Sequence, residues 1–102
     1  DQLAAVTAYR STMAGAIEQL RSTMESTRSA FKTATAAAQD QLKSALAAAT
    51  TREERRAAWD AYRTAIEPAR DAQRATTKSA ADAFRASVDT ARDALEAAIP
   101  SA

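Results

Sequence analysis

The sequence predicts an all-α protein: a long antiparallel two-helix hairpin with 11-residue (hendecad) repeats, completing a helical bundle or coiled-coil assembly by oligomerisation. Three observations lead there. Alanine supplies 30 of the 102 residues, whereas Gly15 is the only glycine and Pro68 and Pro100 are the only prolines. Apolar residues recur on one helix face along almost the whole chain. That periodicity slips once, near the middle, beside a helix-start signature. Alanine loses no side-chain entropy in a helix, and glycine and proline are the usual punctuation of loops, so this composition favours long helices.

The periodicity is visible in four segments that open on Ala8-Tyr9-Arg10, Ala30-Phe31-Lys32, Ala61-Tyr62-Arg63 and Ala83-Phe84-Arg85. Within each pair the offset is 22 residues, or two elevens. Read in elevens, the first position holds Tyr9, Leu20, Phe31 and Leu42, then Tyr62, Gln73, Phe84 and Leu95. Four residues on come Met13, Met24, Thr35 and Leu46, then Ile66, Thr77, Val88 and Ile99. Three further on come Ala16, Thr27, Ala38 and Ala49, then Ala69, Ala80, Ala91 and Ala102. Steps of four, three and four keep all of these on one helix face. Eleven residues in three turns is about 3.67 per turn, which keeps such a helix nearly straight. Alanine holds seven of the eight third positions, and its small side chain lets a neighbouring backbone approach closely.

The break comes after Ala49. The next alanine of the third position is Ala58, nine residues on instead of eleven. Two missing residues would swing the stripe by about 200° on one continuous helix. A turn at about 49–51 restores a common face. Thr51-Arg52-Glu53-Glu54 then supplies a capping box, with Thr51 as cap and Glu54 at the third helical position. Helix one is expected over about 2–48 and helix two over about 52–99, as a single domain 1–102. Pro68 lies inside helix two, where it deletes one backbone hydrogen bond and crowds the preceding turn. A kink near Pro68 is expected, rather than an end, because the stripe stays in frame to Ile99. Gly15 occupies the equivalent place in helix one. In an antiparallel pair, Thr27 falls near Gln73 and Met24 near Thr77, so the stripe is polar around its middle.

Whole classes of chemistry are excluded. The chain has no cysteine and no histidine, which removes thiol nucleophiles, disulfides, the usual zinc ligands and imidazole acid–base catalysis. The net charge is +1 with both signs interspersed, which is not the basic footprint of a nucleic-acid binder. No run of about 18 apolar residues exists to span a membrane. Adjacent Glu53 and Glu54 point in different directions and complement the helix dipole. No catalytic residue, cofactor or metal site is expected, and the chain is not expected to be an enzyme.

The surfaces carry the functional expectation. One stripe per helix buries little, so an isolated hairpin is marginal and gains from neighbours. The stripe expected to drive self-association comprises Tyr9, Met13, Ala16, Leu20, Met24, Phe31, Ala38, Leu42 and Leu46 on helix one. On helix two it comprises Tyr62, Ile66, Ala69, Phe84, Val88, Ala91, Leu95 and Ile99. Leu3, Val6, Ile17 and Trp59 lie beside it and widen it into a second contact face. Residues 1–50 carry nine charges and residues 51–102 carry eighteen. Helix two also has acid-to-base pairs three apart, among them Asp60/Arg63, Glu67/Arg70, Asp71/Arg74, Asp82/Arg85 and Asp89/Arg92. Helix one is therefore expected to be the inner, protein-covered element and helix two to face water.

The 22-residue amphipathic period resembles that of the exchangeable apolipoproteins over most of both halves, and the resemblance implies peripheral contact with a lipid surface. The chain departs from that family in lacking a proline at each repeat boundary and in having alanine and threonine where broad leucine faces occur. A narrow stripe of small residues suits helix–helix packing better than acyl chains. In its length and in having a tryptophan soon after the turn, the chain is also similar to the Trp-X-Gly family of small secreted helical hairpins. Here the context is Trp59-Asp60-Ala61, without the glycine and inside helix two, and that family's C-terminal tyrosine-containing secretion signal is absent. Starting at Asp1 rather than methionine, the chain reads as a mature exported product, secreted or at the cell surface, or as an excised domain. The expected function is structural: packing with itself, or with another helical protein, into a bundle, coat or filament.

Overall fold

A computed structural model describes residues 2–99. They form two α-helices: α1 spans Gln2–Ala48 and α2 spans Arg52–Ala98, joined by residues 49–51. There is no strand among the described residues, and the chain is an all-α helical hairpin. Ala102, the last alanine of the predicted stripe, lies outside the described residues, as does Asp1.

The start of α2 follows from its capping residues. The Thr51 hydroxyl accepts from the backbone N–H of Glu54 at 3.1 Å and donates to the Glu54 carboxylate at 3.2 Å. The Thr50 hydroxyl donates to the same carboxylate oxygen at 3.2 Å. Arg55 N–H reaches the Thr51 carbonyl at 3.1 Å, closing the first turn. One orphan donor of the helix start is thereby satisfied. Glu53 and Glu54, both in the first turn, place negative charge where the helix dipole favours it. The chain reverses without a glycine, and no described residue has a positive φ. Pro68 lies inside α2, which runs on past it to Ala98.

By its internal contacts the chain forms two compact units. One is Ser26–Thr76, which holds the turn and the helix halves on either side of it. Here Thr27, Thr35, Ala38, Ala58 and Ile66 are buried, and Phe31, Leu42, Leu46, Tyr62, Ala69 and Gln73 are half-buried. The other pairs Asp1–Glu25 with Thr77–Ala102. In it Ala91 is buried, while Tyr9, Met13, Ala16, Leu20, Met24, Thr77, Ala80, Phe84, Val88 and Leu95 are half-buried. In both units the covered side chains step by four and three along each helix, which confines them to one face.

These cores are thin. Ile66 is the one large apolar side chain among the described residues that is buried, at 4% exposure. Its burial stabilises the fold by about 1.5–3 kcal/mol. The largest fully buried side chain is Thr35. Two helices in contact shield each other on one side only, so aromatic rings that would be enclosed in a larger core stay half-exposed here.

Candidate interaction surfaces

The residues of the predicted stripe meet across the two helices inside each unit. In the Asp1–Glu25/Thr77–Ala102 unit, Ala16, Leu20 and Thr23 of α1 and Ala80, Ala83 and Phe84 of α2 line one groove. Ala5, Ala8 and Tyr9 share a second with Ala91, Ala94 and Leu95. In the Ser26–Thr76 unit, Ala38, Leu42 and Ala45 share a third with Ala58, Ala61 and Tyr62. Leu20 and Phe84 share the first of these grooves, and Tyr9 and Leu95 share the second. Small residues from both helices flank every one of these grooves. Of the remaining stripe residues, Ile66 is buried, Met13, Met24, Val88, Phe31, Leu46 and Ala69 are half-buried, and Ile99 is exposed.

Thr35, a polar residue of the stripe, is accommodated locally. The Thr35 hydroxyl donates to the Phe31 carbonyl at 2.9 Å. No buried side-chain N or O atom lacks a hydrogen-bond partner among the described residues. Burial of Thr35 therefore leaves no polar atom unsatisfied.

A second surface lies at the start of α2. Arg52, Arg55, Arg56, Trp59, Asp60 and Arg63 line an open groove. Positions 52, 55, 56, 59 and 63 fall on one helix face. Trp59 is 44% exposed and packs edge-on against Tyr62, with ring centroids 6.0 Å apart and planes at 89°. Arg63 is paired with Asp60 at 3.3 Å. Arg52, Arg55 and Arg56 form no ion pair among the described residues. By sequence, Arg52 falls in the capping segment, Asp60 and Arg63 make a charge pair and Trp59 flanks the stripe, whereas Arg55 and Arg56 stand in none of these roles. The 3- and 4-residue spacing of the arginines around Trp59 was the signal that joined them.

Elsewhere on the exposed surface of α2, Asp71/Arg74 pair at 3.6 Å, Asp82/Arg85 at 3.9 Å and Asp82/Lys78 at 3.7 Å. Glu67/Arg70 and Asp89/Arg92, expected from their spacing, form no ion pair among the described residues. Glu18/Arg21 on α1 pair at 3.8 Å. Such exposed pairs contribute a few tenths of a kcal/mol, about 0.3–0.5 each. The two units differ in charge. Ser26–Thr76 holds nine bases and six acids, a net of +3; Asp1–Glu25 with Thr77–Ala102 holds five bases and seven acids, a net of −2.

Among the described residues, no group of three or more acidic side chains is placed to hold a metal ion. No described helix is long and apolar enough to cross a membrane. The accessible surface is 7653 Å² for a mass of 10.8 kDa. Comparison with protein-family models, with curated proteins and with solved structures finds no match to this chain.

Proposed function

We propose that this chain is a non-enzymatic structural protein that packs with copies of itself through helix–helix contacts, into a bundle, coat or filament. The observation that carries the proposal is the uncovered surface. A globular monomer of 10.8 kDa exposes about 5,500 Å². This chain exposes 7653 Å², an excess of roughly 2,000 Å², comparable to the surface that a specific interface removes from water. Half-buried Leu20, Phe84, Tyr9 and Leu95 at the grooves are the side chains a neighbouring helix would finish burying. Alanines beside them permit close approach. Residues 1–50 carry nine charges against eighteen in residues 51–102, so α1 is the element more covered by neighbours, and the charged face of α2 between its first and last turns is turned to water.

The test replaces Phe31 and Phe84 together by alanine. Mass is read by light scattering and helicity by circular dichroism. The proposal expects the double variant to lose mass at a concentration where its helicity is kept. An assembly unchanged in the double variant would remove the stripe as the interface. Wild-type monomers that gain helicity on lipid vesicles would replace self-assembly by surface binding of the apolipoprotein kind.

A further inference from the structure

Self-assembly leaves open which surface of one copy meets which surface of the next, and the distribution of charge answers that. We propose that the arginine–tryptophan groove at the start of α2 binds the acidic last turns of α2 on a second copy. The inference rests on the self-assembly reading and adds to it a defined contact between two unlike surfaces.

Three observations support the pairing. The first is sign: the groove belongs to the unit of net charge +3, and the last turns of α2 belong to the unit of net charge −2. The second is availability. Arg52, Arg55 and Arg56 are exposed and have no ion-pair partner within the described chain. The same holds for Asp89, Asp93 and Glu96, which lie on one helix face at spacings of four and three. The third is dimension. Arg52 to Trp59 and Asp89 to Glu96 each span two turns, about 10 Å of helix. The groove also carries an exposed apolar side chain, Trp59 at 44%. Charge at the rim with an apolar anchor is the usual division of labour in a protein interface.

Helix stability does not account for these charges. Arg52 and Arg55 sit in the first turn of α2, and Glu96 sits in a last turn that holds no basic residue. The helix dipole disfavours all three placements. Glu53 and Glu54 satisfy the dipole at the start, and Glu54 is committed to the cap. Because the groove and the acidic turns are different surfaces, two copies either satisfy both contacts reciprocally in a closed pair or pass the contact from copy to copy as a ring or a filament.

The experiment is a charge exchange on the full chain. One variant carries Arg55→Glu and Arg56→Glu, a second carries Asp93→Lys and Glu96→Lys, and a third carries all four. Most of these changes suit the helix dipole, so helicity by circular dichroism should be kept. Mass is followed by light scattering over a concentration series at low salt. Each double variant should need about ten-fold more protein, or greater, to assemble. Mixing the two double variants should restore assembly to near the wild-type midpoint. Wild-type assembly that persists unchanged in both double variants overturns this contact and leaves the stripe as the interface. A wild type that stays monomeric overturns both readings. Binding of that monomer to anionic phospholipid vesicles, lost with Arg55→Glu and Arg56→Glu, would assign the groove to a lipid surface instead.

Discussion

The hydroxyl of Thr35 donates to the carbonyl of Phe31, one turn earlier on the same helix, at 2.9 Å. Thr35 is also the most deeply buried residue among those described, at 1% exposure. A polar residue at a helix–helix contact can set register when it bonds across the interface. Thr35 bonds along its own helix, so it acts as a small β-branched filler with its polarity neutralised locally. Thr35→Val keeps the shape and removes a hydroxyl that makes no interhelical bond. It should leave stability unchanged or raise it by about 0.5–1 kcal/mol in urea unfolding. A loss above that size would mean that the hydroxyl helps to fix the pairing of α1 with α2.

The cap of α2 makes a separate prediction. The Thr51 hydroxyl receives the Glu54 N–H at 3.1 Å, and Thr51→Ala removes that acceptor. The expected loss is about 1 kcal/mol. Thr51→Asp should recover most of it, because a carboxylate accepts the same bond and suits the helix dipole. Thermal unfolding of the three proteins separates these outcomes. Equal midpoints would show that α2 starts independently of the cap.

Gly15 lies inside α1, and a Cβ built there meets nothing within 4 Å. Its backbone φ is not positive. Alanine at this position narrows the unfolded ensemble without creating a clash. Gly15→Ala should therefore stabilise the chain by about 0.5–1 kcal/mol. The gain should appear in the denaturant midpoint with the slope unchanged. If assembly packs a neighbouring backbone against Gly15, the same variant gains monomer stability and loses mass in light scattering.

Much of the fold was legible because its determinants are local. Thirty alanines and one glycine leave little besides helix, and the Thr51–Glu54 spacing marks where the second helix begins. The step from Ala49 to Ala58 favoured a chain that turns back over one continuous rod whose stripe changes sides, and the two helices follow the former. Other features needed coordinates. The spacing of Glu67 and Arg70 equals that of Asp60 and Arg63, yet only the latter pair is formed, because side-chain rotamers on an exposed face are not dictated by separation alone. The groove around Trp59 was not legible because Arg52, Trp59, Asp60 and Arg63 each have a separate local role, and Arg55 and Arg56 belong to no repeat or charge pair. The relation of Leu20 to Phe84 depends on how closely alanines let the helices approach and on how the turn offsets them, and residue numbers alone do not specify either.

The most direct test of the central claim is the mass of the purified chain over a concentration series, by light scattering with negative-stain imaging. The account predicts particles well above the 10.8 kDa chain, growing with concentration and visible as regular bundles or filaments. A species of single-chain mass at every concentration would contradict it. The hairpin would then keep its full 7653 Å² of surface in water, and a foreign partner or a lipid surface would have to account for the exposed Trp59 and Ile17.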